Sequence, residues 1–227
     1  MKTVRHWFST YLNDDQHEKY RKGIKYVNNK QAKTSVPIHE IISERWSPRA
    51  FDASKQVADK DLLALLEAAH WAPSCFNEQP WRYIVCVKSE DGSGWQAALN
   101  SLTEKNQLWA KNAPILMLAV AMNNFSRNGN VNRWAEYDAG AASMNLSLQA
   151  AAMGLVVHQM GGFSDDSVRQ TFDLPQDCTP MAMLAVGYQA EIDVLDEAFK
   201  DMELAERSRA PITSHFYSGR WGRGFDL

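Results

Sequence analysis

Residues 135–153 place the tightest constraint on how this chain can fold. From Ala135 to Met153 the sequence is dominated by Ala, Ser, Met and Leu, and Gly154 follows as a stop. At 3.6 residues per turn these side chains cover most faces of a helix, which must therefore be buried nearly all round. Such a helix belongs at the centre of a fold or at a subunit interface. With 227 residues the chain can build one sizeable domain around it, but not two full ones.

The surrounding pattern alternates helix and strand. Trp81–Val87 is rich in aromatic and β-branched residues and reads as a strand. The apolar run Ala113–Met122 contains a second, buried strand at Ile115–Met122, and Leu155–Met160 and Met181–Tyr188 supply two more. Helices are expected at Ile38–Glu44, at Trp95–Lys105, at Asp165–Phe172, and from Asp59, where Leu62, Leu65, Leu66 and Ala69 share one face. In the last of these Asp59 is the expected N-cap and Pro73 lies just past the end. Asn123–Asn132 has no periodicity and reads as a loop able to act as a lid. The last forty residues thin into a charged segment and tail.

Val4, Trp7, Phe8 and Tyr11 fall at helical spacing in an amino-terminal arm, and Asn28–Pro37 is a polar linker. The chain thus divides into an arm, 1–36, and a body, 37–227. The arm holds eight Lys/Arg against three Asp/Glu, a net +5 that leaves −8 on the body. It contains no dense basic cluster and no RNA-binding aromatic signature, so a nucleic-acid partner is not expected. No apolar stretch is long enough for a bilayer span or follows the charged start as in a signal peptide. Cys75, Cys86 and Cys178 have neither CxxC nor metal spacing. That usage fits reduced thiols in the cytoplasm.

Side-chain catalysis finds little support, because the six histidines are scattered and HExxH and GxSxG are missing. Gly92-x-Gly94-x-x-Ala97 satisfies a dinucleotide fingerprint, which would make the chain a conventional NAD-dependent dehydrogenase. However, the strand before it ends in Lys88-Ser89-Glu90-Asp91, which places the glycines in a polar turn beyond the strand end. A cofactor that brings its own chemistry accounts better for a chain without an evident nucleophile or base.

Three segments stand out. Glu44–Asp52 (ERWSPRAFD) sets Arg45 and Arg49 four apart where Pro48 prevents a simple helix. Pro73–Trp81 (PSCFNEQPW) offers Ser74, Asn77 and other polar groups between a helix and a strand. Gly161-Gly162-Phe163 would let backbone N–H groups approach a ligand closely. Each alone has a bland explanation in turn chemistry or a solvated charge pair. Together they resemble the nitroreductase family of flavoproteins: the first its R-x-S-x-[RK]-x-F motif, the second its P-S-x-x-N-x-Q-P-W motif, the third its glycine-Phe turn. Tyr137–Ala142 resembles the family's D-x-G-A-A, Ala150–Leu155 its A-x-x-x-G-L, and Arg207–Pro211 its [KR]-x-R-x-P. The likeness covers about residues 38–221 and leaves the arm outside.

The resemblance implies an α+β fold, a mostly antiparallel central sheet flanked by helices, in a homodimer that holds FMN at the subunit interface. It implies hydride transfer from NADH or NADPH to a small electrophilic acceptor such as a nitroaromatic, by a ping-pong mechanism. It assigns Arg49, Arg207 and Arg209 to the FMN phosphate and Arg45 to the pyrimidine side of the ring. Ser47 and Asn77 would hydrogen-bond ring or ribityl atoms, with Trp46, Pro73 and Ser74 in the same binding set. The N–H groups of Gly161 and Gly162 would face the hydride-accepting nitrogen. Trp46 and Phe76 would line the acceptor pocket or simply pack. A quinone, enone, halophenol or free flavin as acceptor remains open at this point, as does a non-catalytic FMN-binding module.

Overall fold

A computed structural model describes residues 30–89 and 92–224. Four strands form one sheet: β1 (Trp81–Val87), β2 (Ile115–Met122), β3 (Val156–Met160) and β4 (Cys178–Gly187). They lie in the order β1-β2-β4-β3, and every neighbouring pair is antiparallel. The helices are α1 (Glu40–Glu44), α2 (Asp59–His70), α3 (Gly92–Asn100), α4 (Glu104–Ala110), α5 (Ala135–Ala152), α6 (Asp165–Thr171) and α7 (Glu197–Leu204).

Strand β2 explains the layering. Side chains alternate across a strand, yet β2 is apolar at every position, so both of its faces need cover. Ile115, Met117, Ala119 and Ala121 join Leu184, Val186 and Val157 under α2 and α5. Leu116, Leu118 and Val120 point the other way, into a second core with Phe51, Trp95, Trp109, Val168 and Phe199. The result is a three-layer α+β domain.

Helix α5 buries Ala135, Ala139, Ala142, Leu146 and Ala150 against the sheet, a stripe at i, i+4, i+7, i+11 and i+15. Burial within one chain is one-sided, because Tyr137 is 81% and Met144 47% exposed on the outer face.

Several boundaries differ from the sequence-based expectation, each for a local reason. The expected helix 95–105 is two helices, α3 and α4. Between them Leu102 forms a β-bridge with Phe163, and the N–H of Thr103 donates to Gly162 O at 3.0 Å. A tertiary contact overrides local propensity there. Strand β4 starts three residues earlier than expected, at Cys178, and contains Pro180. The proline is accommodated beside a register shift opposite Ala119/Val120, in the part of β4 beyond its pairing with β3. Asp59 is the first residue of α2 rather than its cap, which is Ala58 and forms no side-chain cap bond.

The dinucleotide fingerprint is excluded by topology. Gly92 opens helix α3, and β1 runs antiparallel to β2, whereas a nucleotide-binding βαβ unit requires parallel strands. The 123–132 segment is a hairpin-like loop: Phe125 N–H donates to Asn130 O at 2.8 Å, and Asn132 N–H to Asn123 O at 2.7 Å. The apolar arm positions Val4–Tyr11 lie outside the described residues. Among the described residues no helix is long and apolar enough to cross a membrane.

Leu146 is fully buried between α5 and the sheet, whereas Leu63 on α2 is 57% exposed. We expect Leu146→Ala to lower stability by about 2–5 kcal/mol and Leu63→Ala by under about 0.5 kcal/mol, compared by urea denaturation at equal slope.

Candidate functional site

The segment after α1 is fixed at several points. Helix α1 ends where Arg45 caps it at φ −56°, ψ 122°, and Pro48 keeps the chain extended. Pro48 O accepts a hydrogen bond of 3.0 Å from His158 Nδ1 on β3. A carbonyl can only accept, so Nδ1 carries the proton. Further on, Ala190 N–H donates to Ala50 O and Asp52 N–H to Tyr188 O, which docks the chain just beyond β4.

Glu203 completes the anchoring. This carboxylate on α7 is 2% exposed and accepts both Arg49 N–H (3.0 Å to each oxygen) and Ala50 N–H (3.2 Å). Its backbone carbonyl accepts from Lys30 Nζ, whose ammonium also sits 4.6 Å from the centre of the Trp46 ring. Burial pushes the Lys30 ammonium below its ordinary range; Glu203 opposes that shift, and Arg207 and Arg49 add to it.

Around this anchor the cations converge. Arg45 Nη1 lies 3.4 Å from Ser47 Oγ. Burial, then the charges of Arg207 and Arg209, hold the Arg45 guanidinium below its usual value. Burial and Arg209 do the same to Arg207. Arg207 Nη1 donates to Lys30 O and to Ser43 O, each at 2.6 Å, which staples the tail to the chain on either side of residue 37. Arg45, Arg207 and Arg209 line one cavity of about 840 Å³ with Met144, Leu148 and Phe216. Three guanidinium groups at one cavity, two held below their ordinary range, are an environment that an anion relieves.

The other sequence-selected residues lie elsewhere in the chain. The indole of Trp46 is 9% exposed, so its side chain packs in the core. Pro73, Ser74 and Asn77 sit at the opposite end of α5, where Asp138 accepts Cys75 N–H at 3.0 Å and Ser74 Oγ accepts Gln79 N–H at 3.0 Å. Asp138 and Leu148 are ten positions apart on one helix, hence about 15 Å along its axis. Gly161 and Gly162 follow β3. A Cβ on Gly162 would come within 2.6 Å of Asn106 Nδ2, so a larger residue there would push the Asn106 side chain of α4 aside; at Gly161 a Cβ would meet open space. Among the described residues no group of His, Cys, Asp and Glu is arranged to hold a metal ion.

Two participants escaped the sequence reading. The spacing of Phe199 and Glu203, both 2% exposed, would have marked a helix in the apparently featureless tail, with a carboxylate turned inward. His158 carried no local signal; its partner Pro48 is 110 positions away.

This cavity sits in an α+β scaffold with an antiparallel sheet between helical layers. The chain belongs to the nitroreductase family, whose model matches residues 42–188. A solved structure described as an oxidoreductase containing FMN is 32% identical, with a TM-score of 0.79, covering 87% of this chain and 99% of that one. A Bacillus subtilis (strain 168) protein named as a candidate NAD(P)H nitroreductase, YdgI, is 28% identical over 67% of this chain and 88% of its own. A protein from Exiguobacterium sibiricum 255-15 described as a candidate nitroreductase, solved in complex with FMN, shares the fold at a TM-score of 0.62 and 23% identity, covering 81% of this chain and 98% of that one.

Burial lowers the His158 imidazole from 6.5 to about 4; the Pro48 carbonyl opposes that shift and Arg49 adds to it. The folded state therefore favours the neutral ring. Its stabilisation is complete above pH 6.5 and is lost as pH falls toward 4, because the unfolded chain takes up the proton first. This loss amounts to about 3 kcal/mol. Unfolding free energies measured between pH 7 and pH 4 should fall less steeply in His158→Phe than in the parent.

Proposed function

We propose that the chain is an FMN-dependent oxidoreductase that takes hydride from NADH or NADPH and delivers it, in a ping-pong cycle, to a small electrophilic acceptor such as a nitroaromatic. The observation that carries this reading is the cavity at which Arg45, Arg207 and Arg209 meet. Its donor set fits a phosphate-bearing cofactor: guanidinium groups provide planar, multidentate donors, and the charge concentrated here calls for an anion. Arg209, on the exposed rim, and Arg207, already fixed by two carbonyls, would clamp the phosphate together with Arg49. Bound FMN would supply two-electron transfer chemistry between nicotinamide and acceptor.

The residues around it have separate tasks. Arg45 would present fixed positive charge to the part of the bound cofactor that gains electron density on reduction, and Ser47 beside it would offer a hydroxyl. His158 and Glu203 hold the backbone on which Arg49 stands, and Lys30 in turn holds the Glu203 carbonyl. Ser74 and Asn77 would contact the cofactor from the α5 amino-terminal end, and the Gly161–Gly162 backbone from the end of β3.

A homodimer reconciles this assignment with the separation along α5. Tyr137 and Met144 lie exposed on the outer face of that helix. Packing two such faces about a two-fold axis would set the Pro73–Asn77 loop of one copy beside the arginine cavity of the other. The shared cofactor would then sit between copies. The three cysteines form no disulfide, in keeping with a reducing cytoplasm.

Light scattering should give the mass of two chains, and the purified protein should be yellow and bleach anaerobically with NADH or NADPH. A colourless monomer would overturn the reading, whereas a yellow protein that neither nucleotide bleaches would be a binding module. Arg209→Ala should weaken FMN about tenfold or more while leaving riboflavin affinity at the parental value. Equal FMN affinity in parent and variant would remove Arg209 from the clamp.

A further inference from the structure

The loop between α2 and β1 holds an unusual amount of backbone strain. Phe76, Asn77 and Gln79 have φ of 54°, 56° and 53°, a region costly for residues with a Cβ. Such strain persists only where surroundings impose it. Here Asp138 holds Cys75 N–H, Ser74 holds Gln79 N–H, and Arg82 Nη1 donates to Gln79 O at 2.9 Å and to Trp81 O at 2.7 Å.

What this conformation achieves is the display of Phe76. Its ring is 69% exposed to water, yet it is not solitary. The Arg127 guanidinium lies 4.2 Å from its centre and 5.1 Å from that of Phe125, and the two rings meet edge-on at 6.1 Å. Trp134 extends the cluster, 6.3 Å from Phe125, with Arg133 5.3 Å from its own ring. Glu78 fastens the two loops together: its Oε1 accepts Ser126 N–H at 2.6 Å, and Arg127 helps hold the carboxyl below its ordinary range behind the bonds from Ser126. Among the described residues no carboxylate forms an ion pair with Arg127.

A guanidinium lying over a ring face can still turn N–H groups toward a ligand, and its planar fork fits a carboxylate with two parallel hydrogen bonds. Phe76, backed by the buried Phe125, would hold the flat body of the same molecule on the surface that Arg127 leaves open. We infer that Arg127, on the floor formed by Phe76 and Phe125, is a specificity determinant selecting flat aromatic acceptors that carry an anionic group such as a carboxylate. The inference rests on the oxidoreductase reading above, since Phe76 lies between Ser74 and Asn77, the residues that reading assigns to the cofactor.

The test pairs ligands of one shape and different charge in the holoenzyme. With saturating NADH, kcat/KM would be compared for 4-nitrobenzoate and 4-nitrobenzamide in the parent, Arg127→Met and Arg127→Lys. Calorimetry of benzoate and benzamide binding to the oxidised holoenzyme gives a readout independent of turnover. Arg127→Met should lose about tenfold on both carboxylates and under about twofold on both amides, with Arg127→Lys recovering only part because it lacks the planar fork. Equal losses on acid and amide, or none, would overturn the inference while turnover of either acceptor leaves the oxidoreductase reading standing. A changed preference between NADPH and NADH in Arg127→Met, without a change toward the carboxylates, would also overturn it, placing the arginine against the reductant. Arg127-dependent benzoate binding without turnover of either acceptor would keep the anion site and sink the oxidoreductase reading.

Discussion

Buried Glu203 is the point on which the arginine cavity depends. A carboxylate removed from water is tolerated only if its oxygens find donors, and here they receive the N–H groups of Arg49 and Ala50. The contact joins α7, near the end of the chain, to the extended segment after α1, and it sets a negative charge among Lys30, Arg49 and Arg207. Without it the cations would repel one another, and the segment bearing Arg45 and Ser47 would lose its anchor on the carboxyl-terminal side. Charge balance inside the domain thus leaves the arginines at the rim with an excess that is available to a ligand.

Much of the architecture was legible because it follows from burial. Ile115–Met122 is apolar at every position and Trp81–Val87 is β-branched and aromatic, and both strands have the ends their composition gives them. Helix α5 ends one residue before the expected limit, at Ala152. What escaped were places where one distant partner decides the local shape. Leu102 and Thr103 leave the helix for Phe163 and Gly162, more than fifty positions away, and Pro180 hides the start of β4 because its tolerance depends on an irregularity in pairing.

The candidate site was legible in parts, through motifs rather than geometry. Arg45, Arg207 and Arg209 lie 162 or more positions apart between the first and the others, and only the resemblance suggested that they share a place. The sequence held no hint for His158, and for Glu203 only its helical spacing from Phe199; both act on backbone groups that carry no residue identity. Nor did it show that Trp46 would turn inward while its neighbour Arg45 faces the cavity.

Helix α5 also acts as a ruler. One of its ends carries Asp138, which orders the strained loop, and its other half carries Met144 and Leu148 at the cavity. Adding or deleting one residue between them would turn one end by about 100° relative to the other while shifting it by only about 1.5 Å. Either Asp138 would turn away from the Cys75 N–H it accepts, or Met144 and Leu148 would turn away from the cavity. Spacing between Asp138 and the Met144–Leu148 face can therefore change only in near-whole turns if both are to keep their orientation, so the length of α5 is set by its two ends together.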